Sequence, residues 1–126
     1  MLTGTRRITI MCAARTDKGG IPLTPIVVDA HILIKEVFAL HRMVFDINES
    51  GTPSFDKGVW VMTHIPTGLV TLKGFRTIKQ AKAIAAILIA HRVSWAFTDL
   101  LSVPPVDRTA LYKLVNEVKE TYGLWR

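Results

Sequence analysis

Ile8, Ile10 and Cys12 alternate with Arg7, Thr9 and Met11, and this period of two predicts a strand over residues 6–14. The polar run Arg15-Thr16-Asp17-Lys18-Gly19-Gly20 then reads as a loop. From residue 25 the period changes. Ala30, Leu33, Ile34, Val37, Phe38 and His41 recur at helical spacing, behind a Thr24-Pro25 pair with the form of an N-cap and a first-turn proline. The spacing predicts a helix over residues 25–41, against the β-favouring runs Ile26-Val27-Val28 and Ile32-Leu33-Ile34, so both helix and strand stay open there.

Met43 to Ile47 predicts a short strand and Asn48 to Gly58 a polar loop. Val59–Ile65 and Leu69–Phe75 flank Pro66-Thr67-Gly68, where proline suits the second position of a type I turn and glycine the left-handed position after it. Pairing Ile65 with Leu69 sets Trp60, Met62, His64, Val70, Leu72 and Gly74 on one face, with Trp60 covering Gly74. Val61, Thr63, Ile65, Leu69, Thr71 and Lys73 fall on the other, wetter face. Thr77 and Gln80 have capping-box spacing ahead of an apolar helix reaching Ala90. Trp95 and Phe97 suggest one more short strand. After the stiff Pro104-Pro105 break, a last helix starts near Asp107, packs through Ala110, Leu111, Leu114, Val115 and Val118, and stops at Gly123. The expected fold is α+β: a helix, a three-stranded antiparallel sheet and a helix, with an added N-terminal strand and C-terminal helix, in one domain spanning residues 1–126.

Composition narrows the function classes. With 49% hydrophobic residues in 126, the chain is neither disordered nor long enough for several domains. Its single cysteine, Cys12, excludes an internal disulfide. The apolar run after Arg6 and Arg7 is too short for a signal peptide, and Ala83–Ala90 too short for a membrane span. These features lead to the expectation of a cytoplasmic protein without membrane attachment. His31, His41, His64 and His91 have no metal-ligand spacing, and no phosphate loop or nucleophile motif occurs. The expectation is therefore a non-enzyme without cofactor or metal. A constellation of His41, His64 and Asp46 is the catalytic arrangement that spacing leaves open.

The charge is +6, and it is unevenly placed. No acid occurs in the 42 residues between Asp56 and Asp99, which hold Lys57, Lys73, Arg76, Lys79, Lys82 and Arg92. An acid-free basic stretch favours a polyanion, and Lys73, Arg76, Lys79 and Lys82 are the candidate nucleic-acid-binding residues. Thr77-Ile78-Lys79-Gln80-Ala81-Lys82-Ala83-Ile84-Ala85-Ala86 resembles the start of the last helix of double-stranded RNA-binding domains, Ser-Lys-Lys-x-Ala-Lys-x-x-Ala-Ala. The resemblance spans residues 25–92. It departs at Ile78, where the family has the first of its paired lysines, and in Gly51-Thr52-Pro53-Ser54, which lacks the family's histidine. What it implies is duplex RNA binding by shape, with Lys79 and Lys82 on phosphates across a major groove.

Leu124 and Trp125, with Leu100, Leu101 and the Ala83–Ala90 run, amount to much apolar surface for this length. They are the candidate interface residues for a homo-oligomer or a larger assembly. The sequence thus predicts a nucleic-acid-binding protein, for duplex RNA or DNA. The alternative is an oligomeric structural or inhibitory interaction module, of the type that phage and mobile elements encode.

Overall fold

Residues 25–41 form no α-helix: they belong to two strands joined by a short 3₁₀ turn. The computed structural model describes residues 5–13, 23–47, 50, 52–91 and 94–125, and the loop expected at 15–20 lies outside them. Five strands precede any α-helix: β1 (Arg6–Ala13), β2 (Leu23–Ile32), β3 (Phe38–Ile47), β4 (Pro53–His64) and β5 (Val70–Phe75). They form one antiparallel sheet in sequence order. Helices α1 (Ile78–Ala90) and α2 (Pro105–Tyr122) follow. This overturns the expected helix, three-stranded sheet and helix.

The physical reason lies in β2. Its alternate residues Ile26, Val28 and Ala30 are buried, whereas Val27 and Asp29 are exposed. β1 supplies a partner for each position from Leu23 to Ala30, so the β-branched run is satisfied by pairing. The apparent helical stripe is a composite of two cores. Ala30 packs with Ile8, Ile10, Ile26 and Val28, while Leu33 and Phe38 join a separate cluster beneath the helices. The chain passes between the two through a 3₁₀ turn at Ile34–Glu36, where Lys35 and Glu36 take positive φ.

Both faces of the sheet are therefore covered. Phe38, Leu40, Met62, Leu72 and Phe75 meet Ala81, Ile84, Ala85 and Leu88 of α1 and Leu111, Leu114 and Val118 of α2. On the opposite face, Ala39 and Ile65 pack with the β1–β2 hairpin. Thr63, assigned to the wetter face, is fully buried. The sheet's outer edges are partly closed as well. Met11 N donates to Gly68 O at 2.7 Å beside β1, and Trp125 N donates to Lys73 O at 3.1 Å beside β5. Covered edges resist pairing with foreign strands.

The β4–β5 hairpin keeps the expected centre, with Met62 opposite Leu72 and Val61 opposite Lys73. Irregularities on each side shift its ends, so Trp60 pairs with Phe75 and Gly74 is left to another partner. β4 also begins earlier than expected, at Pro53, inside the region read as loop. Trp95 and Phe97 lie in irregular chain, not in a strand. Gly68 holds φ 71°, and a Cβ there would stand 3.2 Å from Thr9 O and Met11 Cγ. Gly68→Val should lower stability by about 2 kcal/mol, from left-handed strain and from displacement of β1. Thermal melting tests this, and an unchanged midpoint would remove the turn from the argument.

Candidate nucleic-acid interface

The start of α1 is built from local signals. Thr77 is its N-cap, and Gln80 N donates to Thr77 Oγ1 at 3.1 Å. Gln80 Oε1 in turn accepts from Arg76 N at 3.4 Å, which fixes the entry of the chain. Ala81, Ile84, Ala85 and Leu88 face the core. That rotation leaves Lys79 and Lys82 exposed, one turn apart on the same side. Ala83, Ala86 and Ala90 are exposed too, so this apolar helix has an open alanine face.

Arg76, Lys79 and Lys82 are all exposed and make no ion pair among the described residues. Two arginines elsewhere are neutralised: Arg6 pairs with Glu36 at 2.7 Å and Arg7 with Asp29 at 3.8 Å. The positive end of the α1 dipole adds to the local field, and no acid lies in its first turn. Lys73 stands apart from the other three. Leu72 faces the helices, so strand alternation points Lys73 to the opposite face of β5, where it is half-buried.

The register brings in a basic residue that sequence reasoning did not assign. Arg42 on β3 pairs with Trp60 on β4, and Trp60 pairs with Phe75, the residue before Arg76. The Arg42 Cζ lies 3.7 Å from the centre of the Trp60 ring. His31 meets the same ring edge-on, with centroids 5.6 Å apart. Arg42, Trp60 and Phe75 thus occupy neighbouring strands at one end of the sheet, and Arg76 follows Phe75 in the bend that leads into α1. Nothing in the spacing of Arg42 and Trp60, 18 residues apart, marks them as neighbours; only strand registration does.

The other candidate residues serve the interior. His41 and Thr63 lie between β3–β4 and the hairpin, with 2.7 Å between His41 Nε2 and Thr63 Oγ1. His41 Nδ1 donates to Arg42 O at 2.7 Å. His64 is on the opposite face, where Nε2 donates to Trp95 O at 2.7 Å and Nδ1 lies 2.9 Å from Thr67 Oγ1. Phe97 stacks on its ring at 4.5 Å. Burial holds both histidines below the usual imidazole range. The sheet stands between them, and the side chain of Asp46 lies outside what is described.

Leu124 is buried in the helix-side core of its own chain. Trp125 lies across Gly74, whose φ is 97° and whose absent Cβ leaves room for the indole. Leu124 is therefore taken up by the protomer's own core, whereas Trp125 contacts Gly74 and still leaves 44% of its surface exposed. Among the described residues no helix is long and apolar enough to cross a membrane. Comparison with protein-family models, curated proteins and solved structures finds no match to this chain, so its functional reading rests on its own residues and their geometry.

Proposed function

We propose that this chain is a small, non-enzymatic, cytoplasmic nucleic-acid-binding protein that holds phosphates at the start of α1. The observation carrying this reading is the exposed trio Arg76, Lys79 and Lys82, without ion-pair partners among the described residues, at the positive end of a helix. Their acid-free sequence surroundings extend that field. The single Cys12 can form no bridge within the chain, which suits a reducing compartment. Duplex RNA was the form implied by resemblance, but the first helix of that pattern is strand β2 here, so the phosphate contacts alone carry the proposal.

Phosphate binding releases counterions, so affinity should fall with salt by a log–log slope of about −0.9 per contact on duplex DNA. Changing Lys79 and Lys82 together to alanine should flatten that slope by about two contacts and weaken all sequences equally. The fold should persist, because alanine is favourable in helices and both side chains are exposed. Titrations of wild type and the double variant at several salt concentrations test this. Superimposable curves, or no binding by wild type at low salt, would refute the proposal.

The interaction-module reading keeps one observation of its own. Leu101 and Val106 are each 80% exposed at the elbow leading into α2, beside an open cavity of about 400 Å³ whose lining mixes Phe97, Pro104 and Leu111 with Ser94, Ser102 and Asp107. Light scattering at high concentration separates the readings, because a stable oligomer that ignores nucleic acid supports the module.

A further inference from the structure

We infer that Arg42, held over the ring of Trp60, is a stacking platform for an unpaired nucleobase, so that the basic ridge selects single-stranded nucleic acid over continuous duplex. The inference rests on the proposed nucleic-acid binding and names the form that is bound.

A lysine or arginine on a flexible stem meets a phosphate as a mobile charge. Arg42 is different. Its guanidinium carbon lies 3.7 Å from the Trp60 ring centre, well within cation–π range, so the head group is held over the indole. Trp60 is itself fixed, because it packs against the helix-side core and meets His31 edge-on at 5.6 Å. Trp60, Arg42 and His31 are all half-buried, so the stack lies at the margin of the core where the surface begins. A guanidinium plane backed by an aromatic ring offers a base a flat, cationic surface at little ordering cost, and arginine planes are a recurrent seat for unstacked bases. Bases in a continuous duplex are stacked on their neighbours and cannot reach it.

The placement supplies the second half of the argument. The ladder Arg42–Trp60–Phe75 ends one residue before Arg76, so the stack lies on the strands that lead into the start of α1. A strand whose phosphates follow Arg76, Lys79 and Lys82 brings a base to the neighbouring sheet positions. Cations track the backbone and a planar stack takes a base, which is the division of labour in single-strand recognition.

The test compares a single-stranded oligouridylate with a blunt RNA duplex carrying the same number of phosphates. Wild type should bind the single strand about tenfold more tightly than the duplex, the value of one stacked base. Arg42→Lys keeps the charge and removes the plane, so it should lose about that factor on the single strand and leave duplex affinity nearly unchanged. Thermal melting confirms that the variant is folded. The Trp60 indole N–H resonance of wild type gives a second readout and should shift with the single strand and stay in place with the duplex. Equal loss on both ligands, no loss on either, or a wild-type preference for duplex overturns the inference while the phosphate reading stands. Absence of binding to both ligands at low salt overturns the two together.

Discussion

Gly74→Val is expected to destabilise the protein by about 3–5 kcal/mol, a large share of the stability of a domain this size. Two effects add. Gly74 holds φ 97°, which a β-branched residue resists. A Cβ there would also stand 2.5 Å from Trp125 Cδ1 and 2.7 Å from Trp125 Cγ, so the indole must leave. Expelling Trp125 pulls on its backbone bond to Lys73 O and on Leu124, which is only 6% exposed and sits in the main core. Uncovering a buried leucine alone costs about 2 kcal/mol or more. The thermal midpoint should fall by at least about 10 °C. In a Trp125→Ala background the same glycine change should cost less, since the steric part is already gone and only the backbone strain remains. A Gly74→Val protein that melts with wild type would mean that the C-terminal residues do not dock on β5.

The same docking shows what the sequence could and could not convey. Elements specified by neighbours in sequence were legible. Thr77 and Gln80 cap α1, Gly68 turns the β4–β5 hairpin with positive φ, and Gly123 ends α2 in the left-handed conformation. The exposure of Lys79 and Lys82 was legible for the same reason, because their spacing on one helix decides which way they face. Elements that depend on a distant partner were not legible. β2 reads as helix until β1 is placed beside it, since Ala30, Leu33, Phe38 and His41 belong to different layers that happen to share a helical period. Counting outward from the turn paired Trp60 with Gly74, but irregularities in the ladder moved Trp60 to Phe75 and gave Gly74 to Trp125. Those same irregularities align Trp60 with Arg42 on one side and with the residue before Arg76 on the other. The exposed side of the lysines thus follows from spacing, whereas the arginine over Trp60 requires the register of the strands.

Acidification below the ordinary imidazole range should weaken the fold steeply, through His41 and His64. They are 2% and 3% exposed, and burial pushes both below the usual value in the folded state. Each donates one ring N–H to a backbone carbonyl, Arg42 O or Trp95 O, and in the neutral ring the other nitrogen accepts from a threonine hydroxyl. The hydroxyl can turn to accept from a protonated ring, so the main cost of charging is the loss of water around a buried cation. The unfolded chain carries no such cost and takes up protons near pH 6.5. Above that pH both states are neutral at these sites, and the two rings contribute no pH dependence to stability. Below it the unfolded state binds more protons than the folded one, so stability falls as the pH falls, until the folded histidines titrate in turn. With two groups acting, the slope reaches about 2.7 kcal/mol per pH unit while both stay neutral in the fold. Denaturant titrations at steps from pH 7.5 to 5.5 lie above the range where carboxylates protonate, which isolates the histidines. His64→Asn should cost stability at neutral pH, because its stack on Phe97 and its bond to Trp95 O are lost. It should also halve the slope, and that second effect cannot come from packing. A wild-type stability that is flat across this interval would show that these rings charge freely in the fold, and the packing assigned to His41 and His64 would have to be abandoned.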